Sequence, residues 1–302
     1  MKIYFDNVNL NSRSGPNSFG KKLRDSLVKR DHVVKASPIL NKEDFDIQLS
    51  FISSTTKVAP VVQRLDGIYF NSAQNWKDLN SPILATYQSA DAVIYQSEFN
   101  KNLTEAYFGK KENSFVIHNG TCIDTIREIK PLENDQLDKF SSVWSCASSW
   151  RPHKRLQENI NYFLEHSSED TCFVIAGSNP DVQVSHPRIF YAGDLLWEDL
   201  ISLYKRSSLF VHLAWLDHCP NVVVDARASG CKIVCSSTGG TKEISGKDSI
   251  VVLEEDWDFS PTMLYKPPPV DFSKKTSSKT DSKIDISDVS GLYTEVFEKV
   301  LT

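Results

Sequence analysis

Two carboxylates eight residues apart, Asp217 and Asp225, bracket the segment DHCPNVVVD. Asp217 closes a loop, and Asp225 lies one turn into a helix that starts near Asn221. Between them the helix start offers backbone N–H groups and the positive end of the helix dipole. Ala226, Ala228 and Gly230 close the helix, Lys232 to Cys235 reads as a buried strand, and Gly239-Gly240 as a turn. A carboxylate accepts hydrogen bonds from vicinal hydroxyls, and a helix start holds phosphate. The combination suits a ligand with hydroxyls at both ends and phosphates between them, such as a nucleotide-sugar.

Other segments add charge or tight backbone turns. Ser148 to Arg155 (SSWRPHKR) follows a strand and opens a helix. Basic residues disfavour a helix N-terminus, so Arg151 and Lys154 are placed against local preference, a conflict that points to function. Gly15-Pro16-Asn17 reads as a turn, with Ser18 capping the helix that follows. In Gln63-Arg64-Leu65-Asp66-Gly67, Arg64 and Asp66 either contact a ligand or pair with each other. His118-Asn119-Gly120 is a turn whose Asn-Gly suits positive φ. Ser97 caps a helix beginning at Glu98. The signatures G-x-S-x-G, G-x-x-x-x-G-K-[ST] and G-x-G-x-x-G are absent from the sequence.

These residues need a scaffold, and the apolar pattern supplies one. Strand runs are expected at Lys2–Phe5, 33–36, 47–51, 61–64, 92–95 and 115–117. They alternate with helices carrying Phe19, Leu23 and Leu27, then over 82–89 and 98–107. That alternation predicts a doubly wound α/β domain. The polar stretch 128–142 reads as a linker. Strands at 143–147, 173–176, 189–192, 209–213, 232–235 and 250–253, with helices at 153–166 and 198–206, predict a second α/β domain. The Pro-, Ser- and Lys-rich stretch 266–284 reads as a mobile loop. A final amphipathic helix is expected over 289–301.

Composition bounds the class. The 302 residues suffice for two domains. Hydrophobic residues are 40% and charged residues 24%, ordinary for a globular protein. A net charge of −5 gives no overall basic field for nucleic acid or anionic membrane. The six cysteines form no C-x-x-C pair, which fits reduced thiols in a cytoplasmic protein and no metal site. The N-terminus lacks a signal-peptide pattern, and no 18-residue apolar run is present. Cytoplasmic placement is expected, with peripheral membrane contact left open.

The acidic segment resembles that of retaining GT-B glycosyltransferases of family 4. Those enzymes carry E-x7-E, then A-x-A-x-G, an apolar strand and a Gly-Gly turn. Here the run is Asp217-x7-Asp225, Ala226-Arg-Ala-Ser-Gly230, Ile233-Val-Cys and Gly239-Gly240. The resemblance runs in order from Met1 to about Leu253. It implies an α/β GT-B fold, two Rossmann-like domains facing across a cleft, with the last helix crossing back to the first domain. The implied domains are 1–127 on the acceptor side, 143–285 binding the nucleotide-sugar, and 286–302 as that helix.

The resemblance also implies roles. Lys154 and Arg151, in the place of the family's R-x4-K pair, would stabilise the leaving diphosphate. Asp217 would contact the transferred sugar, and Asp66 would act beside the reacting centre. Asp225 would hold the ribose hydroxyls. The backbone of Asn221, Val222 and Val223 would hold phosphate, with Gly15, Pro16, Asn17, Gly177 and His218 completing the donor site. Arg64 and Asp66 would face the acceptor. The partners implied are a UDP- or GDP-sugar donor and a glycan or other hydroxyl acceptor, with no metal and no cofactor. Four departures stand out: Asp for Glu at both acidic positions, an Arg displaced toward Lys154, and Leu65 where relatives place His. They motivate a rival, a nucleotide-sugar-binding protein without turnover. A second rival moves the acceptor to nucleic acid; the acidic charge opposes it and the basic segment Lys274–Lys279 favours it.

Overall fold

The computed structural model describes residues 1–12, 14–36 and 44–302. The chain divides into two compact units. Unit 1 holds Met1–Cys122, Phe259–Thr262 and Lys283–Thr302; unit 2 holds Ile123–Asp258 and Met263–Ser282.

Unit 1 alternates β1 (Lys2–Asp6), α1 (Gly15–Val28), β2 (Val33–Ala36), β3 (Ile47–Phe51), β4 (Val61–Leu65), α2 (Trp76–Ser89), β5 (Ala92–Tyr95), α3 (Glu98–Phe108) and β6 (Ser114–Val116). The six strands form one parallel sheet in the order β2-β1-β3-β4-β5-β6. Its central strands β3, β4 and β5 are buried throughout; most of their residues are apolar, and Gln48, Ser50, Gln63 and Arg64 are buried polar exceptions. Phe19, Leu23 and Leu27, spaced four apart, turn one stripe of α1 onto that sheet and are fully buried.

Unit 2 contains α4 (Ile123–Glu128), β7 (Ser142–Ala147), α5 (Leu156–His166), β8 (Thr171–Ala176), β9 (Ile189–Gly193), α6 (Trp197–Arg206), β10 (Leu209–His212), α7 (Asn221–Ala228), β11 (Lys232–Ser236), α8 (Thr241–Ile244), β12 (Ile250–Val252) and β13 (Lys275–Ser277). Its sheet runs β13-β12-β11-β10-β7-β8-β9, parallel except for β13, which pairs antiparallel with β12. The chain then returns to unit 1 as α9 (Ile286–Leu301).

Helix α9 completes the core of unit 1. Val289, Tyr293, Val296 and Phe297 are buried together with Ile3, Phe5 and Leu23. Ser26 and Ser290 hydroxyls lie 2.8 Å apart, and Arg30 Nε donates to Ser290 Oγ at 2.9 Å.

Several expectations change. Ser14, not Ser18, holds the N-cap position of α1, without a capping hydrogen bond from its side chain, and Pro16 sits in the first turn, where its missing N–H is no loss. Helix α2 starts at Trp76 and carries Pro82 inside it. The expected linker follows directly on α4 and contains a turn of 3-10 helix at Leu137–Lys139 with a buried Leu137, all within unit 2. The stretch read as a mobile loop supplies β13. Gly120 does not have positive φ. It is required because a Cβ there would lie 2.9 Å from Val289 Cγ2 and 3.1 Å from Ile286 Cα.

Among the described residues, no helix is long and apolar enough to cross a membrane, and no cluster of three metal-ligating side chains occurs. All six cysteines are free thiols. Burial pushes the Cys231 and Cys235 thiols up to about 12, so they are inert at neutral pH.

Candidate functional site

In an open α/β sheet, ligands bind where loops leave the C-terminal ends of the strands. In unit 2, β7 and β10 are neighbours, so the loops that follow them emerge side by side. The loop after β7 turns at Trp150, whose indole donates to Ala176 O at 3.0 Å, and enters a 3-10 turn at Pro152–Lys154. The loop after β10 carries Leu216 at φ +56°, a left-handed conformation that costs on the order of 1 kcal/mol for a side chain of this type. Such strain is retained where the next residue must be aimed, and that residue is Asp217.

Asp217 is gripped from several directions. Lys154 Nζ donates to its Oδ2 at 2.5 Å and His212 Nε2 to the same oxygen at 3.0 Å. The His218 N–H donates to Oδ1 at 3.0 Å. Behind it, Gly240 N–H donates to the Asp217 carbonyl at 2.7 Å, and Gly239 leaves room for that carbonyl, which a Cβ would meet at 2.5 Å. Burial disfavours the Asp217 carboxylate, but the Lys154 charge and the His212 bond win and hold it well below the usual range. Burial keeps His212 neutral by lowering its pKa, against the pull of Asp217. The neutral ring therefore carries its proton on Nε2, facing the carboxylate.

Asp225 stands apart from this group. It is 3% exposed on α7, and the Trp197 indole N–H donates to its Oδ2 at 3.0 Å. Trp197 opens α6 and is half-buried. At the start of α7, Asn221 and Val222 are half-exposed, whereas Val223 is buried and its N–H donates to the Pro220 carbonyl at 3.0 Å. The expected phosphate contact from Val223 is thus corrected: its N–H is used within the turn. Arg151 is exposed and makes no side-chain hydrogen bond or ion pair among the described residues. Gly177 has φ +110°, and a Cβ there would fall 1.8 Å from Ser148 O. It lets the β7 and β8 loops touch.

A second ion pair supports the site from below. Arg155, at φ +53° and 3% exposed, donates to Glu254 at 2.7 Å and to Pro268 O at 2.8 Å. Glu254 also accepts from Ser236 and Thr238. The Arg155–Glu254 pair ties the segment after Lys154 to the ends of β11 and β12. Sequence reasoning missed Arg155, Glu254, His212 and Trp197. The one available signal was a histidine inside the apolar strand LFVHL, five residues before Asp217.

The unit 1 candidates divide. Arg64 is fully buried and ion-pairs with Asp66. Its other donors go to Asn119 Oδ1 at 2.7 Å and Tyr293 Oη at 3.1 Å, and its guanidinium lies 4.2 Å from the Phe19 ring centre. Burial would lower its pKa, but Asp66 and Tyr293 raise it, so the charge is permanent. Arg64 is therefore corrected from an acceptor contact to a core cation. Asp66, 13% exposed at its side chain, keeps one edge toward solvent. Gly15 is exposed, and Pro16 and Asn17 are half-buried. Asn17 Oδ1 accepts from Asn9 N–H at 2.9 Å, and its amide donates to Ser14 Oγ at 2.8 Å, which fixes the loop before α1.

Comparison with known proteins bears on the family and the fold. Residues 143–260 match the model of a family described as "Glycosyl transferases group 1". The chain carries a group 1 glycosyltransferase domain. No curated protein sequence matches it. Solved structures similar to the whole chain include Anabaena Alr3699/HepE in complex with UDP and glucose, at 14% identity and TM-score 0.66, covering 99% of each chain. The catalytic domain of Starch Synthase IV from Arabidopsis thaliana, bound to ADP and acarbose, aligns at 10% identity and TM-score 0.67, also over 99% of each. An alpha-glucosyltransferase in complex with UDP-glucose and DNA containing an abasic site aligns at 13% and TM-score 0.57, over 99% of this chain and 90% of that one. The fold of this glycosyltransferase is GT-B, two Rossmann-like parallel-sheet domains.

Proposed function

We propose that this glycosyltransferase is retaining and metal-independent, and moves a sugar from a UDP- or GDP-sugar to the hydroxyl of a glycan or another acceptor. One observation carries the reading: Lys154 and the start of α7 leave adjacent strands, β7 and β10, at the same edge of the unit 2 sheet. A fixed ammonium beside a helix N-terminus suits a departing diphosphate. In this reading the acceptor hydroxyl attacks the anomeric carbon on the face from which the diphosphate leaves. The anomeric C–O bond to phosphate breaks as the new C–O bond forms, and a diphosphate oxygen takes the hydroxyl proton. Lys154, with Arg151 free to swing in, would balance the growing negative charge. Asp225 would accept from the ribose hydroxyls. Asn221 and Val222 would serve phosphate, with Gly177 and His218 at the edge of the donor. Gly15, Pro16, Asn17 and Asp66 remain the unit 1 candidates. No cofactor beyond the donor substrate is proposed. The six free thiols fit a reducing cytoplasmic compartment.

The test combines a donor panel with chelation. Thermal shift with UDP-, GDP-, ADP- and CMP-sugars selects the donor. Turnover is then followed with EDTA, and the product anomer is read by NMR. The expected result is unchanged turnover and a product with the donor's anomeric configuration. A rate that collapses with EDTA and returns with Mg²⁺ or Mn²⁺ would overturn metal independence, and an inverted anomer would overturn retention. A nucleic-acid acceptor is a second reading, favoured by exposed Lys274 and Lys275 at the β13 edge. Salt-independent or absent binding to duplex DNA removes it.

A further inference from the structure

The carboxylate of Asp217 already has three donors on it: Lys154 and His212 on Oδ2 and the His218 N–H on Oδ1. An ionised carboxylate offers about four acceptor positions, so little of this one is left for a sugar. The grip is also well built. His212 is 3% exposed at the end of β10, and the Phe210 ring stacks with it at 6.2 Å and 12°. The strand therefore fixes the imidazole before the loop begins. The short side chain belongs to the same arrangement. A glutamate would carry its carboxylate about 1.5 Å further out, past the oxygen position that His212 and Lys154 share.

We propose that His212 and Asp217 are positioning residues: His212 fixes the Asp217 carboxylate, and the carboxylate fixes the Lys154 ammonium for the departing diphosphate. The aspartate in place of a longer acid is what allows the acid to serve this internal role instead of reaching the transferred sugar. The inference rests on the proposed role of Lys154 and deepens it. Without His212, the carboxylate turns about its side-chain bonds and the ammonium follows it. The effect falls on turnover, because charge on the leaving group grows toward the transition state.

The experiment compares the single variants H212A, H212Q, D217E and K154A and the double variant H212A/K154A. Hydrolysis of UDP-glucose or GDP-mannose, whichever the donor panel selects, gives kcat and KM. Mass-spectrometric footprinting with an amine-acetylating reagent reads Lys154 without any donor. Thermal unfolding confirms that each variant is folded. The expected pattern is a tenfold or greater loss of kcat in H212A with KM within twofold. H212Q, whose amide nitrogen can replace Nε2, recovers most of the loss. D217E is impaired like H212A, and H212A adds nothing once Lys154 is gone. Labelling of Lys154 rises in H212A and D217E while other lysines keep their rates. The proposal is overturned by D217E as active as the parent protein, by full additivity of H212A and K154A, or by unchanged Lys154 labelling in H212A. Parent-like turnover in K154A overturns the role of Lys154 and this inference with it. An impaired K154A beside an unaffected H212A overturns only the inference.

Discussion

At the scale of single residues, Asp225 is buried on α7 and accepts a hydrogen bond from the Trp197 indole N–H. A hydrogen bond from a neutral donor to a charged acceptor contributes about 1.5–3 kcal/mol when buried. Trp197→Phe keeps the ring and removes the donor, and Asp225→Asn removes the charge. Both are expected to weaken donor binding by about 1–3 kcal/mol, read by isothermal titration with the nucleotide-sugar that the panel selects. Equal affinity in D225N would take Asp225 out of the donor site. Lys154→Ala is expected to raise the barrier by about 2–4 kcal/mol, a loss of some 30- to 1000-fold in kcat, with donor affinity changed far less. A large effect of Arg151→Ala beside a silent Lys154→Ala would reverse the assignment of the two cations. The sequence singled out the two acids by their spacing around a helix start, and Lys154 by its charge before α5; the structure places Lys154 in the 3-10 turn that precedes that helix. His212 and Trp197 were not legible, because a polar atom inside an apolar strand or at a helix start discloses its partner only once the chain is folded.

At the scale of elements, glycine positions mark where two segments must touch. Gly177 sits at φ +110° with Ser148 O where its Cβ would be. Gly177→Ala is expected to destabilise unit 2 by about 3 kcal/mol or more, seen as a lower urea midpoint. Gly120→Ala meets the movable Val289 side chain first and is expected to cost about 1 kcal/mol. A Gly177→Ala protein as stable as the parent would show that the β7 loop can retreat. The strands were readable because parallel strands buried on both faces are apolar runs. Strand β13 was not: Lys275, Thr276 and Ser277 are all exposed, so nothing but backbone pairing with β12 makes them a strand. The early start of α2 was hidden by Pro82, which reads as a first-turn residue yet lies mid-helix.

At the scale of the whole molecule, buried imidazoles set the acid limit. His153 is 8% exposed, and its Nδ1 is buried without a hydrogen-bond partner. Burial, with the neighbouring Lys154 charge, lowers its pKa from 6.5 to about 3. The unfolded chain therefore binds a proton below 6.5 that the folded chain refuses until about pH 3, and stability falls as pH drops through that window. His212 shifts in the same direction. Asp217, held low, adds its own loss once pH falls below the ordinary carboxylate value of 3.8. All three slopes have one sign. Stability is expected to decline from pH 7 to pH 4, with His153 contributing about 2 kcal/mol of the loss by pH 5. Urea unfolding across that range checks it. A His153→Gln protein with the same slope would remove His153 from the account.

The order of the chain has a consequence for how the molecule is made. Helix α9 belongs to unit 1 but follows all of unit 2 in sequence. On a translating ribosome the first unit begun is therefore the last one finished. While residues 123–282 emerge and fold, β1 to β6 wait without Val289, Tyr293 and Phe297, and Arg64 waits without the Tyr293 hydroxyl. The open flank of unit 1 is a stretch of uncovered apolar surface on a nascent chain, the kind of surface that chaperones hold and aggregates recruit.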